Sequence, residues 1–241
     1  MNKFKTSSLF LWMKYLTKYS FRNCDETHLK NLSGEKSWSQ TGQDLFALFA
    51  NQRKQQGTYV EIGAHDPFRD NNSYLLERDY NWHGVSYEVD ERYAYFFNRL
   101  RANPCILADA TQVNYEEEFS RRSFPKQIDY LQIDIDPAHQ SLSALKALPL
   151  HSYRFNAITF EHDRYQAGDD VMVESRKILN DLGYVLLFPN IQNIGLDVED
   201  WWVDPTHVRF DLIALKQKTA LDFKQAIELL VDFFNSEQSS R

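Results

Sequence analysis

Short apolar runs alternate with amphipathic segments through most of this 241-residue chain. The apolar runs predict strands near 58–62, 84–89, 104–109, 129–135, 155–161, 183–188 and 207–215. The amphipathic segments predict helices near 91–102, 114–122, 140–148 and 169–182, with a closing helix at 219–235. Repeated strand-then-helix order is typical of an α/β fold with a mostly parallel sheet covered on both faces. The last two strands are joined by a polar and aromatic segment, 189–206, which predicts an antiparallel final strand.

Composition and charge divide the chain into two parts. Residues 38–241 predict one α/β domain, and residues 1–37 predict a basic amphipathic helix followed by a linker. The net charge of -7 argues against a nucleic-acid partner. Residues 1–22 are too short and too charged to span a bilayer, and no secretory cleavage site follows them. This helix packs on the domain, packs on a second subunit of a homo-oligomer, or lies on a membrane surface.

The chain contains two cysteines, Cys24 and Cys105. Cys105 lies within an apolar run, where a thiol behaves as a small buried hydrophobe. A disulfide framework is therefore not expected, which predicts a cytoplasmic protein.

Acidic residues end the first three predicted strands. Glu88 follows Glu61 by 27 positions, near the spacing at which an acid receives ribose hydroxyls in nucleoside-binding α/β folds. The alternative is that Glu88 caps the next helix. Asp109, at the end of the third strand, has the position expected to face an adenine amino group.

The next two predicted strands end in a cluster of potential ligands. Asp134 and Asp136 occupy alternate positions, so they lie on the same side of the strand and require a cation or a raised pKa. Glu161, His162 and Asp163 follow the neighbouring strand. Carboxylates with an imidazole suit Mg²⁺, Mn²⁺ or Fe²⁺. The alternative is that Asp163 caps a helix and His162 is only hydrogen-bonded.

Several short motifs lie between residues 38 and 210. They are Ser39-Gln40-Thr41-Gly42-Gln43-Asp44, Glu61-Ile62-Gly63-Ala64-His65, Asn71-Asn72-Ser73 with Leu76-Glu77, Asp134-Ile135-Asp136, Glu161-His162-Asp163-Arg164-Tyr165 and Trp201-Trp202-Val203-Asp204-Pro205. In combination they resemble the FkbM-type S-adenosylmethionine-dependent methyltransferases. The predicted sheet, seven strands with the last antiparallel, matches the Rossmann-like class I methyltransferase fold.

The resemblance implies O-methylation of a hydroxyl on a nucleotide-sugar, a polysaccharide or a glycosylated natural product. The residues predicted to contact S-adenosylmethionine are Gln40, Gln43, Glu61, Gly63, Ala64, Asn72, Ser73, Glu88, Asp109, Ala110 and Asp134. Gln40 and Gln43, with Ser39 and Asp44, are predicted to form a lid, with a helix N-cap at Ser39 as the alternative. The chain departs from the family in having His65-Asp66-Pro67 where familiar members have a second small residue, and Asp136-Pro137 where they have Glu-Gly.

The leading hypothesis for the chemistry is metal-assisted methyl transfer. Asp134, Asp136, Glu161 and His162 are the predicted ligands of Mg²⁺ or Mn²⁺, which lowers the pKa of a bound alcohol. His139 or Asp163 then accepts the hydroxyl proton. Two alternatives remain. One is a metal-independent transferase with Asp136 or His139 as base, and the other is an inactive nucleotide-sugar-binding protein of the same fold.

An aromatic and acidic segment predicts the acceptor contacts. Trp201 and Trp202 are expected to stack on a sugar ring, and Asp204 is expected to accept its hydroxyl protons. The alternative for the tryptophan pair is a subunit interface.

Overall fold

The computed structural model describes residue 30 and residues 32–238. The predicted basic helix in 1–22 lies outside the described residues. No helix in the described part of the chain combines the length and apolar character needed to cross a membrane.

Eight strands form one sheet in the order β3-β2-β1-β4-β5-β7-β6-β8. Their bounds are β1 Thr58–Ile62, β2 His83–Glu88, β3 Cys105–Leu107, β4 Gln127–Ile133, β5 Arg154–Glu161, β6 Val185–Asn193, β7 Leu196–Val203 and β8 Leu221–Asp222. All neighbouring pairs are parallel except those that involve β7, which runs antiparallel to both β5 and β6. The predicted mostly parallel sheet with one antiparallel strand is confirmed.

Helices cover both faces of this sheet. Their bounds are α1 Gln43–Ala50, α2 Tyr74–Tyr80, α3 Glu91–Leu100, α4 Tyr115–Arg121, α5 Ala138–Ala147, α6 Arg164–Ala167, α7 Asp170–Asp181 and α8 Phe223–Gln238. Adjacent residues of a strand point to opposite faces. Tyr130 accordingly packs in a core with α1, α2 and α8, whereas Leu131 packs in a second core with α4, α5 and α7. Cys105 is buried, as predicted.

The antiparallel strand was predicted in the wrong segment of the chain. Residues 207–215 were predicted as the antiparallel strand, but Phe210–Leu215 forms a 3₁₀ helix. The antiparallel strand is β7, which lies inside the predicted connection 189–206. A tight turn makes this possible, because Ile194 and Gly195 both have positive φ angles, 54° and 76°. Two such residues in succession suit the turn of a β-hairpin.

Candidate functional site

A glycine allows the chain to leave β1 beside β4. Gly63 has a φ of +85°, and a Cβ at this position would lie 1.7 Å from the backbone oxygen of Asp134. The amides of Gly63 and Ala64 both donate to the Tyr87 carbonyl, at 3.0 and 3.1 Å. The turn after β1 is therefore held between the ends of β2 and β4, and the contact with Asp134 leaves no room for a side chain.

Glu61 lies below this turn. It is buried, and its carboxylate accepts hydrogen bonds from the hydroxyls of Ser73, at 2.9 Å, and Ser86, at 2.6 Å. Burial raises the pKa of Glu61, while the nearby Arg101 and the two serine hydroxyls act against this rise. Two of the predicted cofactor contacts, Glu61 and Ser73, are therefore hydrogen-bonded to each other and link β1 to the start of α2.

Glu88 joins the loops that follow β1 and β2. One of its carboxylate oxygens accepts from the amide of His65 at 2.8 Å, and the other accepts from the amide of Asp90 at 2.7 Å. Each oxygen keeps a second acceptor site, so the group can still receive two vicinal hydroxyls. The alternative role of helix cap belongs to Asp90, whose side chain accepts from the amide of Arg92 at the start of α3.

The loop between β1 and α2 contains the sequence His65-Asp66-Pro67, in which the chain differs from the family, and a buried side-chain oxygen without a hydrogen-bond donor in the described structure. His65 takes the position of the second small residue with a φ of 46°, a left-handed conformation. Asp66 holds the next turn by accepting from the amides of Phe68 and Arg69. Asn72 is only 5% exposed, and its side-chain oxygen has no hydrogen-bond partner among the described residues. Of the predicted cofactor contacts in this loop, Asn72 has an acceptor to offer.

Asp109 lies beyond the end of β3, on an exposed loop. Its carboxylate accepts from the amide of Thr111 at 2.9 Å and from the Thr111 hydroxyl at 2.7 Å, and these bonds lower its pKa. With Tyr87 and Glu117, Asp109 lines a pocket of about 390 Å³. The neighbouring Ala110 is buried, and its carbonyl accepts from the Tyr115 hydroxyl.

The segment before α1 is a packed turn. Asp44 is fully buried and accepts from the hydroxyls of Ser37 and Ser39 and from the amide of Trp38, at 2.7–2.8 Å. Burial raises its pKa. The helix begins at Gln43 with Gly42 in the capping position, so the alternative of an N-cap at Ser39 is wrong. Of the four residues predicted as a lid, Gln40 alone is exposed.

Three carboxyl groups form a hydrogen-bonded chain where β4 and β5 end. Ile133 pairs with Phe160, so Asp134 and Glu161 lie next to each other on neighbouring strands. Glu161 shares hydrogen bonds with both Asp134 and Asp163. Burial raises the pKa of Asp134 to about 6, and burial together with the charge of Asp134 raises that of Glu161 further above its ordinary value. Buried carboxyl groups this close together favour a proton between them, because two neighbouring negative charges repel.

Glu199 adds a fourth carboxyl that the sequence pattern did not predict. It lies directly opposite Glu161 on β7 and is 2% exposed. The Thr41 hydroxyl donates to it, and the Gln43 side chain is a further hydrogen-bond partner. Burial raises the pKa of Glu199 to about 8. Gln43, a predicted cofactor contact, is thus a hydrogen-bond partner of the buried Glu199.

This burial predicts a pH-dependent stability. A carboxyl whose pKa rises from 4.5 to about 8 on folding favours the folded state most at low pH, and this contribution is lost as the pH rises through that range. The loss has an upper limit of about 1.4 kcal/mol per pH unit. We expect Glu199→Gln to reduce the fall in the free energy of unfolding between these pH values. Urea unfolding at several pH values measures it, and parallel wild-type and variant curves would contradict it.

His162 does not face the carboxyl chain. Its Nδ1 accepts from the amide of Arg164 at 3.2 Å, and its Nε2 lies 3.4 Å from Oδ1 of Asp200. Asp200 in turn is bound by the guanidinium of Arg176 at 2.7 and 2.8 Å. Nδ1 is hydrogen-bonded, and Nε2 lies beside Asp200 although it has no hydrogen-bond partner among the described residues. The prediction of His162 as a metal ligand is therefore corrected to its hydrogen-bonded alternative.

The predicted bases differ in their surroundings. Asp163 is 4% exposed, has a φ of 44°, and one of its carboxylate oxygens, Oδ1, has no hydrogen-bond partner within the described part of the chain. Burial raises its pKa. Asp136 is exposed, and its charge contributes to the raised pKa values of Asp134 and Asp163. His139 is exposed in the first turn of α5, where its Nε2 lies 3.5 Å from the Gln140 side chain.

The predicted acceptor contacts on β7 are wrong. Trp201 and Trp202 are fully buried on opposite faces of the sheet, and Trp201 stacks on Phe46 with ring centroids 4.8 Å apart. Neither indole can reach a sugar or a subunit interface. Asp204 lies at the opposite edge of the sheet, where its carboxylate binds Arg154 at 2.9 Å. Because β7 is antiparallel to β5, the last residues of β7 lie beside the start of β5, at the opposite end of the strands from the site.

The carboxyl groups do not have the arrangement of a metal site. In residues 30 and 32–238, no group of three or more His, Cys, Asp or Glu side chains has the geometry to hold a metal ion. Asp134 and Asp163 are both engaged with Glu161, and His162 faces Asp200. The donor set predicted for Mg²⁺ or Mn²⁺ therefore does not fit, and we derive no step through a metal.

Strand order and strand direction define a class of protein. A sheet ordered 3-2-1-4-5-7-6, with strand 7 alone antiparallel and a glycine turn after strand 1, is the class I S-adenosylmethionine-dependent methyltransferase fold. Here β8 is added at the β6 edge.

Comparison with solved structures finds similar folds. An rRNA methylase from Streptococcus thermophilus is 11% identical, with 66% of this chain and 94% of that chain covered and a TM-score of 0.45. A putative O-methyltransferase from Klebsiella pneumoniae is 15% identical over 79% and 94%, with a TM-score of 0.45. Aeropyrum pernix fibrillarin with bound S-adenosyl-L-methionine is 15% identical over 68% and 76%, with a TM-score of 0.43. No family model and no curated protein matches the chain.

Proposed function

We propose that the chain is a metal-independent, S-adenosylmethionine-dependent O-methyltransferase that acts on a hydroxyl of a sugar or glycoside. One observation carries this proposal: at the same edge of the sheet, the turn at Gly63 and the carboxylate of Glu88 lie near a buried carboxyl chain that ends in the unpaired oxygen of Asp163. The motif resemblance to FkbM-type enzymes supports the acceptor class.

Two side chains of the candidate cofactor site have acceptor atoms to offer. Glu88 would receive the two ribose hydroxyls, because each of its oxygens already holds one backbone amide and keeps one site free. Asn72 would receive a donor from the methionine portion through its unpaired side-chain oxygen. When bound, S-adenosylmethionine supplies an electrophilic methyl group on a sulfonium.

Asp163 is the base in this proposal. Its free Oδ1 would accept the hydroxyl proton as the acceptor oxygen bonds to the methyl carbon and the carbon–sulfur bond breaks, leaving S-adenosylhomocysteine. Burial raises its pKa, which increases its affinity for that proton. Glu161 is a hydrogen-bond partner of both Asp134 and Asp163, and so helps to fix the orientation of both groups. Tyr165, half-exposed and hydrogen-bonded to Asp163, offers a ring face to a sugar at the mouth of the site.

Cofactor binding tests this proposal. We expect Glu88→Ala to weaken S-adenosylmethionine binding about 100-fold, since two hydrogen bonds to a charged group contribute about 1.5 kcal/mol each at the least. Titration calorimetry measures the dissociation constant. Glu88→Gln should give an intermediate value, because its single carbonyl oxygen still accepts.

Glu91→Ala is the matched control, since Glu91 is an exposed acid at the start of α3, three residues beyond Glu88. It should bind S-adenosylmethionine as the wild type does. If wild-type protein fails to bind S-adenosylmethionine but binds a sugar nucleotide, the transferase proposal is wrong, and the chain is a binding protein with this fold.

A further inference from the structure

The carboxyl cluster at the proposed acceptor site has no basic partner among the described ion pairs. Its members come from the ends of β4 and β5 and from β7, and they are Asp134, Asp136, Glu161, Asp163 and Glu199. The arginines nearest in the chain to Glu161 and Asp163 are committed elsewhere. Arg164 binds Asp169 and Asp197, and Arg154 binds Asp204.

Unpaired buried oxygens provide a second, independent observation. Gln132 is 2% exposed, and none of the described residues donates a hydrogen bond to its side-chain oxygen. It precedes Asp134 by two residues on β4 and pairs with Thr159, two residues before Glu161 on β5. Alternation along the strands therefore puts Gln132 on the face that carries Asp134 and Glu161. The free oxygen of Asp163 lies at the outer end of the same cluster.

Two of the unpaired buried atoms, on Gln132 and Asp163, are acceptor oxygens like those of the carboxyl groups around them. Gln132 and Asp163 both present acceptor oxygens without donors, and ionised carboxylates can only accept. A neutral hydroxyl brings one donor but also lone pairs, which repel carboxylates. An ammonium brings three donors, a positive charge and no acceptor. It is therefore the better complement to this group, and the exposed ring of Tyr165 beside Asp163 can also attract a cation.

We propose that the acceptor is an aminated sugar, whose ammonium binds Asp134 and Asp136 while Asp163 takes the proton of the neighbouring hydroxyl. This inference rests on the proposed function and specifies its substrate class. Gln132 would offer the ammonium a further unpaired side-chain oxygen. The charged amine is then a positioning group, and the methyl group goes to the adjacent oxygen.

A paired binding experiment tests the amine. Glucosamine, galactosamine and mannosamine are each titrated against the neutral parent sugar, with S-adenosylhomocysteine at saturation. We expect at least one amine to bind ten-fold or more tightly than its parent. Asp134→Asn and Asp136→Asn should reduce that preference to less than three-fold. Asp136 is exposed, so Asp136→Asn tests the charge in a variant whose core is unchanged.

Asp181→Asn, on the exposed face of α7, is the charge-matched control and should keep the full preference. The inference is overturned if no amine binds, if amine and neutral sugars bind equally, or if Asp136→Asn and Asp134→Asn both keep the wild-type preference. Its failure remains separate from that of the proposed function, because S-adenosylhomocysteine binding is measured first. Absent cofactor binding contradicts the transferase proposal, whereas cofactor binding without amine preference contradicts the aminated acceptor alone.

Discussion

Replacing Gly63 with alanine is expected to destabilise the fold by about 2–5 kcal/mol and to abolish measurable S-adenosylmethionine binding. The added Cβ would lie 1.7 Å from the backbone oxygen of Asp134, and alanine would also have to adopt a φ of +85°. The left-handed conformation costs about 1–2 kcal/mol and overpacking against a rigid neighbour about 1–3 kcal/mol. Urea unfolding and calorimetry measure the two effects.

Gly183→Ala separates the cost of the left-handed conformation from the cost of overpacking. Gly183 has nearly the same φ, +82°, but no atom of the described residues lies within 4 Å of the position that a Cβ would occupy there. We expect this variant to lose only the conformational part, about 1–2 kcal/mol, and to bind cofactor normally. If Gly63→Ala and Gly183→Ala are destabilised equally, the close approach of β1 and β4 does not constrain the turn.

Replacing Asp163 with asparagine is expected to lower kcat by about 10²–10⁴, the usual contribution of a general base, with the S-adenosylmethionine dissociation constant changed less than three-fold. The amide cannot accept the hydroxyl proton. Because burial raises the pKa of Asp163, wild-type turnover should also fall as the pH drops through that pKa, and the variant should lack this dependence. Single-turnover methyl transfer across a pH series measures both.

Companion measurements identify the base and test for a metal. Asp136→Ala should lower turnover less than Asp163→Asn, and His139→Ala should change it least, because the His139 ring is exposed and faces Gln140. A loss of turnover in His139→Ala as large as that in Asp163→Asn would assign the role of base to the imidazole.

Full turnover in excess EDTA is expected. Loss of activity that Mg²⁺ or Mn²⁺ restores would support the metal-assisted mechanism predicted from sequence.

Much of the central sheet follows from local pattern. The first strand was predicted at 58–62, which matches Thr58–Ile62, and the fourth and fifth strands differ from prediction by a few residues at their ends. Central parallel strands are buried on both faces, so they appear in the sequence as continuous apolar runs. The acids that follow these runs are equally visible, which is why Asp134 and Glu161 were predicted as neighbours.

Strand β7 was missed because its pattern is mixed. Glu199 and Asp200 precede two tryptophans within it, and two adjacent acids usually indicate a solvated loop. Both acids are buried, Glu199 against Thr41 and Asp200 against Arg176. These partners are distant in sequence, so no local signal could identify them.

The order of alternating strands and helices, the glycine after β1 and the acidic residues at the ends of β2, β4 and β5 can all be read from the chain, because they depend on local periodicity and on residue type. Which acids act together depends on the folded structure. It turned His162 toward Asp200, buried Trp201 and Trp202, and brought Glu199 opposite Glu161. Those outcomes depend on strand pairing between segments far apart in the chain, and on burial, which shifts the carboxyl pKa values.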